Sequence, residues 1–359
     1  MEISKSDAKM LKGAAILLML LLHLFGRKEV NGMYENFITI NGTPLVYYLA
    51  LFGDACVPIY CFVSGYGLYV IFYKEQRLNV NRNCIRILKL LMNYWIVLVL
   101  FVVVVGFFSG KSEVFSGGII KFLLNVFVLS SSYNGAWWFL QTYIILVFLA
   151  PLLTKLVRKY NSLSLLLVFG TIYLVSYIQR IKNVLDVGHH TILGMSVNAV
   201  VLVGTSLLPF IVGTIFAKEK IYSKLYNKFY DMSYKNILCA IGIIMLIVLH
   251  AFYESMIIAP FTAIAFISFF ILMNKSSVIQ HILAFLGDHS TNIWLTHMFF
   301  YMSIFPELIF APRYPIIIFI WLITLCIASS YVINCIYKPV VRMIDKKSFI
   351  VRDNQRAIE

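Results

Sequence analysis

Two polar residues on the first hydrophobic segment have a spacing that suits chemistry across a membrane. Lys12 and His23 are eleven residues apart in an almost entirely apolar run. In an α-helix this separation is three turns plus about 20°, so both side chains share one face, roughly 16 Å apart along the axis. A lysine can bind an anion, and a histidine can act as a general base or a nucleophile. Alternatively, Lys12 marks a cytoplasmic helix end and His23 is a polar group satisfied inside a helix bundle.

Two further ionisable residues, Asp54 and His297, also interrupt long apolar runs. A charged residue at the centre of a membrane helix costs about 2.5–3.5 kcal/mol, so such residues suggest a function. The predicted direction of each segment puts His23, Asp54 and His297 at a similar depth in the outer half of the bilayer. A carboxylate beside an imidazole fixes its tautomer and strengthens it as a base, so we expect Asp54 to orient His23. The alternative is that Asp54 is hydrated at the membrane interface.

The elements that must position these residues are hydrophobic helices. The chain has 359 residues, of which 61% are hydrophobic and 13% are charged, a composition that soluble globular domains do not have. The sequence predicts an all-α, polytopic membrane bundle, with residues 1–345 as the transmembrane domain and 346–359 as a short cytoplasmic polar tail. Ten apolar runs are long enough to cross a bilayer, at about 10–26, 44–72, 88–108, 136–156, 163–178, 195–217, 236–252, 255–273, 281–304 and 314–337.

The distribution of positive charge predicts the orientation of the bundle. With ten spans both termini lie on one side of the membrane. If that side is the cytoplasm, 23 of the 30 Lys and Arg residues lie in cytoplasmic segments and seven lie outside, as the positive-inside rule requires. The net charge of +14 is therefore interpreted as a topology signal facing anionic lipid, and no nucleic-acid partner is expected.

Cationic and aromatic residues also lie at the two predicted membrane boundaries. Arg82 and Arg86, at the entrance of the third span, are four residues apart and share one helix face, which suits a phosphate group. They could also simply follow the positive-inside rule. Trp138, at the outer start of the fourth span, could be an anchor in the aromatic belt or a wall on which a sugar stacks. His189 and His190 are expected to be solvated residues of an outer loop.

The order of these motifs resembles the membrane acyltransferase 3 family, the multi-pass O-acyltransferases of bacterial polysaccharides. The family opens with a basic residue, ten intervening residues and a histidine, matched here by Lys12 and His23, although arginine is commoner at the first position. Four later family patterns follow in the same order: an aromatic-x-Ser-Gly-aromatic run at 62–66, which contains Ser64, the arginines Arg82 and Arg86, a Trp-Phe-Leu run at 138–140, and a Ser-x-x-Ile-aromatic-Leu-x-His run at 290–297.

The resemblance implies an enzyme of the bacterial cell membrane that moves an acyl group, most often acetyl, from cytosolic acyl-CoA to a hydroxyl of a cell-surface or exported carbohydrate. Acetyl-CoA would be a donor substrate and not a permanently bound cofactor, and the acceptor could be a lipid-linked glycan. Direct transfer and an acyl-histidine intermediate both stay open. The implied roles are catalysis for His23 and Asp54, donor binding for Lys12, Arg82, Arg86 and Ser64, and acceptor binding for Trp138 and His297.

The main alternative class is a transporter or flippase of a polar or anionic substrate, which also uses intramembrane charges and broken helices. The two halves of this chain contain no matching pair of broken helices, and the polar residues concentrate in the first two spans. No cluster of His, Cys, Asp and Glu has the spacing of metal ligands, so no metal site is expected. These observations favour the enzyme over the transporter.

Overall fold

The computed structural model describes residues 2–75, 80–185 and 192–356, and nearly all of its regular structure is helical. A single antiparallel pair of two-residue strands, β1 (Thr39–Ile40) and β2 (Thr43–Pro44), lies in the loop after the first helix in this part of the chain. His189 and His190 lie outside the described residues. The helices are α1 (Lys5–Phe25), α2 (Leu45–Leu51), α3 (Cys56–Glu75), α4 (Val80–Leu98), α5 (Gly106–Phe108), α6 (Gly118–Val126), α7 (Trp138–Lys159), α8 (Ser162–Lys182), α9 (Ile192–Glu219), α10 (Ile221–Phe229), α11 (Lys235–Tyr253), α12 (Ala259–Leu272), α13 (Ser277–Met298), α14 (Pro306–Phe310) and α15 (Pro315–Arg356).

Eight helical stretches of the described residues are long and apolar enough to cross a membrane, which confirms the all-α polytopic class. Two of the ten predicted spans fall outside this set. The first, α12, is a shorter apolar helix, and the second, α13, carries polar residues along its length. The eight stretches are Lys5–Phe25, Leu45–Tyr73, Asn81–Phe108, Gly135–Lys159, Ser162–Lys182, Leu193–Glu219, Lys235–Tyr253 and Pro315–Asp345.

The close crossing of α1 and α13 depends on one glycine from each helix. A Cβ on Gly13 would overlap the carbonyl oxygen of Leu283, and a Cβ on Gly287 would overlap the carbonyl oxygen of Lys9. Small residues allow such direct backbone approach between membrane helices. An exposed ion pair between Lys9 and Asp288, with N–O distance 2.8 Å, lies beside the crossing. The two glycines and the ion pair together fix the register of α1 against α13.

This crossing sets the positions of His23 and His297 along the helix axes. His23 lies ten residues after Gly13, and His297 lies ten residues after Gly287. Because α1 and α13 run in the same direction, both histidines rise about 15 Å above the crossing and reach the same level. We call the end of the bundle at which α1 begins the N-terminal face, and the other end the distal face.

An irregular segment carries Asp54 to the side of α1. The chain forms a short 3-10 helix at Phe52–Ala55 between α2 and α3. Pro58 lacks the N–H that would bond to the carbonyl of Asp54, which accounts for the break one turn before the proline. Gly53 lies so close to α1 that a Cβ would overlap the carbonyl oxygen of Leu18. The break therefore positions Asp54 near the first helix.

Candidate active site

A cavity of about 980 Å³ runs through the bundle from the N-terminal face to His23. Its lining begins at the N-terminal face with charged side chains and continues upward along α3, α4, α7 and α13. All the residues for which the sequence implies donor binding contribute to its wall, as do His23, Asp54 and Trp138. The charged and polar members of this wall include Lys12, Asp54, Ser64, Arg82, Arg86, Lys89, Asn93, Arg180, Asp288, Asn292, Asn334 and Asp345.

The lower part of this cavity has an excess of positive charge. Arg82, Arg86 and Lys89 lie on the face of α4 that lines it. Lys89 pairs with Asp345 at 2.6 Å. In contrast, the ammonium group of Lys12 and the guanidinium group of Arg86 form no ion pair within 4.0 Å among the described residues. Two unneutralised cations in a cavity wall suit an anion such as a phosphate group.

At the upper end of the cavity His23 and His297 are in direct contact. Nδ1 of His23 lies 2.8 Å from Nε2 of His297, and the two rings are nearly parallel, at 15°. His297 is fully buried, and its Nδ1 lies 2.8 Å from the carbonyl oxygen of Trp294. The ring of Tyr301 lies parallel to both imidazoles.

These contacts determine the tautomer of each ring when both are neutral. A carbonyl oxygen can only accept, so Nδ1 of His297 carries a proton and donates it to Trp294. Nε2 of His297 is then the acceptor, and Nδ1 of His23 donates to it. The proton of His23 therefore resides on Nδ1, and its Nε2 keeps a free lone pair. A ring in this state can accept a proton at Nε2.

A second cavity, of about 360 Å³, lies between His23 and the distal face. Its lining comes from the end of α1, from the loop that follows, from the π-helix at Phe299–Ser303 and from α14. His23 belongs to the wall of this cavity and to that of the larger one, whereas His297 belongs to neither. The imidazole of His23 is therefore a shared part of the walls of two cavities, which open toward opposite ends of the bundle. The lining is His23, Leu24, Arg27, Met33, Tyr301, Met302, Pro306, Glu307 and Phe310.

A comparison of the sequence with protein-family models identifies the family of this chain. A model described as an acyltransferase domain matches residues 7–335, which include both histidines and both arginines of α4. The chain belongs to the acyltransferase 3 family. Comparisons with curated proteins and with solved structures gave no match. The protein is thus a membrane acyltransferase, and its match extends over almost the whole helical bundle.

In this acyltransferase the expected pairing of Asp54 with His23 is replaced by a different one. Oδ2 of Asp54 lies 3.3 Å from Nε2 of His250, a fully buried residue at the end of α11. Asp54 still lines the larger cavity together with His23. Four residues after His250, Glu254 pairs with Lys28 at 2.6 Å, and the hydrogen bond from this ammonium group holds the pKa of the Glu254 carboxyl below its usual range.

Trp138 forms part of the wall of the larger cavity, next to a cation that the sequence reasoning missed. The guanidinium group of Arg180 lies 5.2 Å from the centre of the Trp138 ring, and it also lines the cavity. Arg180 forms no ion pair within 4.0 Å among the described residues. Its position gave a signal in the sequence, because it is a cation on the side of the membrane that is predicted to have few.

The short segment before α7, a 3-10 turn at Gly135–Trp137, holds the upper part of α13 in place. The carbonyl oxygen of Leu295 accepts hydrogen bonds from Nδ2 of Asn134 and from Nε1 of Trp137, both at 3.0 Å. In return, Nε1 of Trp294 donates to the carbonyl oxygen of Ala136 at 2.9 Å. These bonds anchor α13 two and three residues before His297 and so limit the movement of its backbone. Just beyond, α13 passes into a π-helix at Phe299–Ser303, a feature that is frequent at functional sites.

Among the residues that the structure describes, no group of three or more His, Cys, Asp and Glu side chains could hold a metal ion. Ionisable side chains that share a cavity wall with His23 include Asp54 and Arg180 in the larger cavity and Arg27, Tyr301 and Glu307 in the smaller one. The arrangement can bind an anion at the N-terminal face, and it presents a free imidazole nitrogen beside both cavities.

Proposed function

We propose that this acyltransferase moves an acyl group, most often acetyl, from cytosolic acyl-CoA to a hydroxyl of a cell-surface or exported carbohydrate. The position of His23 carries this proposal. Its imidazole belongs to the walls of two cavities that approach from opposite ends of the bundle, so a donor in one and an acceptor in the other would meet at one nitrogen.

The donor would occupy the larger cavity. The phosphate groups of acyl-CoA would bind to Lys12, Arg82 and Arg86 at the N-terminal face, with Ser64 farther up the wall. Its pantetheine arm, about twelve bonds long and equal to about four residues of extended chain, would span roughly 14 Å. This length is comparable to the axial distance of about 16 Å between Lys12 and His23. The positive-inside distribution supports a cytoplasmic position for the N-terminal face and for both termini.

The transfer step uses the lone pair on Nε2 of His23. The acceptor hydroxyl gives its proton to Nε2 while its oxygen attacks the carbonyl carbon of the thioester. A new C–O bond replaces the C–S bond, CoA leaves as the thiolate, and His23 returns the proton to the sulfur atom. Throughout, Nδ1 of His23 donates to His297, so the charged imidazolium keeps its orientation.

The same lone pair could instead attack the thioester and carry the acyl group on His23 before transfer. The two routes differ in one observable, because only the second gives labelled protein when acetyl-CoA is supplied without an acceptor. Mass spectrometry of the peptide that contains His23 distinguishes them.

The acceptor side is assigned from the upper part of the site. An acceptor that enters through the smaller cavity would reach past His23 into the upper part of the larger cavity, where Trp138 and Arg180 line the wall. Arg180 covers one face of the Trp138 ring and can donate to sugar oxygens, and the uncovered part of the ring would contact the sugar. His297 is fully buried and lines neither cavity, so we assign it to the positioning of His23 instead of to acceptor contact. Asp54, held by His250, would contribute negative charge near His23 without a hydrogen bond to it.

Proteoliposomes provide the test. Labelled acetyl-CoA is enclosed in the lumen, and glycan extracted from the surface of the cells that make the protein is supplied outside. We expect alkali-labile label on the glycan with the wild type and none with His23→Ala. The matched control is His281→Ala, which removes an exposed histidine of α13 at the N-terminal face. Absence of transfer by the wild type, or transfer that survives His23→Ala, would contradict the proposal.

A further inference from the structure

Halfway up the larger cavity, one buried polar atom has no partner among the residues that the structure describes. From these residues Oδ1 of Asn93 accepts no hydrogen bond, although Asn93 is only 5% exposed. Asn93 lies on α4, and its side chain belongs to the wall of the cavity. A buried carbonyl oxygen without a donor is unfavourable unless a ligand or water supplies one.

Neighbouring side chains fix the orientation of the Asn93 amide. Nδ2 of Asn93 donates to Oδ1 of Asn292 at 2.6 Å. Nδ2 of Asn292 in turn donates to Oγ of Ser330 at 2.8 Å and lies 3.4 Å from Oδ1 of Asn334. In this arrangement Nδ2 of Asn292 donates to Ser330, and Oδ1 of Asn292 accepts from Asn93. The free atom of Asn93 is therefore an acceptor, and it requires an N–H or O–H donor.

The level of Asn93 lies between the two ends of the proposed donor site. Asn93 is seven residues after Arg86 on α4, about 10 Å higher and on nearly the same helix face. Its partner Asn292 is five residues before His297 on α13, about 7.5 Å below the histidine pair. A molecule with phosphate at Arg86 and a thioester at His23 would therefore pass Asn93 with the middle of its arm.

We propose that Oδ1 of Asn93 accepts a hydrogen bond from one amide N–H of the pantetheine arm of the donor. The inference rests on the proposed use of acyl-CoA and extends it to a neutral subsite. The arm carries two secondary amides between its phosphate and sulfur ends, and each has an N–H that must find an acceptor when it leaves water. Asn93, a residue of the cavity wall, supplies that acceptor, while the hydrogen bonds through Asn292 and Ser330 fix the orientation of its amide.

The test uses CoA and two analogues in which one amide of the arm or the other is replaced by an ester, which removes the N–H and keeps the shape. Equilibrium binding to the purified full-length protein in nanodiscs is measured for all three. We expect the wild type to bind one analogue about tenfold more weakly than CoA. Asn93→Ala should bind CoA about tenfold more weakly than the wild type and bind that analogue as well as it binds CoA.

Two further variants keep the experiment decisive. Asn93→Asp retains an acceptor oxygen at the same place, so it should still prefer CoA over the analogue. Asn334→Ala, at the far end of the same polar chain, should also retain the preference. Equal binding of CoA and both analogues by the wild type, or an undiminished preference in Asn93→Ala, would overturn the inference and leave water as the partner of Asn93. Acetyl transfer from acetyl-CoA by the wild type, measured in parallel, tests the proposed function separately.

Discussion

Nε2 of His297 lies 2.8 Å from Nδ1 of His23, yet only His23 lines the cavities on either side of it. The two histidines thus have different relations to any bound molecule, although both are ionisable residues within apolar helices. In the proposed mechanism His23 touches the substrates, and His297 acts through its contact with His23. The contact also explains why the free lone pair of His23 lies on Nε2, because the carbonyl of Trp294 fixes the proton of His297.

Replacement of His297 should therefore change turnover more than binding. His297→Ala removes the acceptor for Nδ1 of His23, so the ring can adopt the wrong tautomer and orientation. We expect kcat to fall by about 10²-fold or more while the KM values for acetyl-CoA and acceptor change little. Initial-rate kinetics with both substrates varied measure this split. A large rise in the acceptor KM with normal kcat would instead indicate that His297 contacts the acceptor.

Substitution of Gly287 should separate α1 from α13. Gly287→Ala places a Cβ on the carbonyl oxygen of Lys9, so the helices must move apart and the histidine contact must lengthen. We expect a loss of about 1–3 kcal/mol in stability, together with lower activity. Gly170→Ala is the matched control, because a Cβ there meets no atom within 4 Å. Thermal unfolding in detergent should show a lower midpoint for Gly287→Ala alone, and equal midpoints would contradict the role of the crossing.

Removal of the Arg86 side chain should weaken the binding of the donor, acetyl-CoA, and not that of the acceptor. Arg86→Ala takes away an unpaired cation of the lower cavity, so the KM for acetyl-CoA should rise by about tenfold or more. The acceptor KM should stay the same. With S-acetyl-pantetheine, which lacks the nucleotide and its phosphates, wild type and variant should become similar. Arg313→Ala, an exposed arginine at the distal face, serves as the control. A rise confined to the acceptor KM would contradict a phosphate site at Arg86.

Trp138 and Arg180 should contribute jointly to the binding of the acceptor. Trp138→Ala removes the ring beneath the guanidinium group, and Arg180→Gln removes the charge above the ring. Each change should raise the acceptor KM without changing the KM for acetyl-CoA. The double variant should lose less than the product of the single effects, because residues in contact are coupled. Full additivity in this cycle would show two independent roles, such as a membrane anchor and a lipid-facing cation.

The sequence was most informative about residues that lie on the same helix. The spacing of Lys12 and His23 on α1, and of Arg82 and Arg86 on α4, follows from helix geometry, and the structure places all four side chains in the wall of one cavity. Hydropathy likewise predicted the helical membrane class, because runs of apolar residues need no knowledge of tertiary packing.

Contacts between helices were much harder to predict. Asp54 was expected beside His23, whereas its carboxylate lies against His250 on α11. A similar depth in the membrane does not say which helix faces are adjacent, and here the 3-10 break after α2 turns Asp54 toward α11. Asn93 was missed for the same reason, since the sequence does not show that a cavity lies beside this lone polar residue.

On both α1 and α13 the histidine lies ten residues after the glycine of the crossing, so the two imidazoles meet only when these two spacings are equal. A single residue inserted between Gly13 and His23 would raise the imidazole by about 1.5 Å and rotate it by about 100°, away from His297. An insertion of the same length between Gly287 and His297 would restore the height but would turn the second ring by the same angle about a different axis. Changes in length within these two ten-residue intervals should therefore be tolerated in neither helix, even where every inserted residue is apolar.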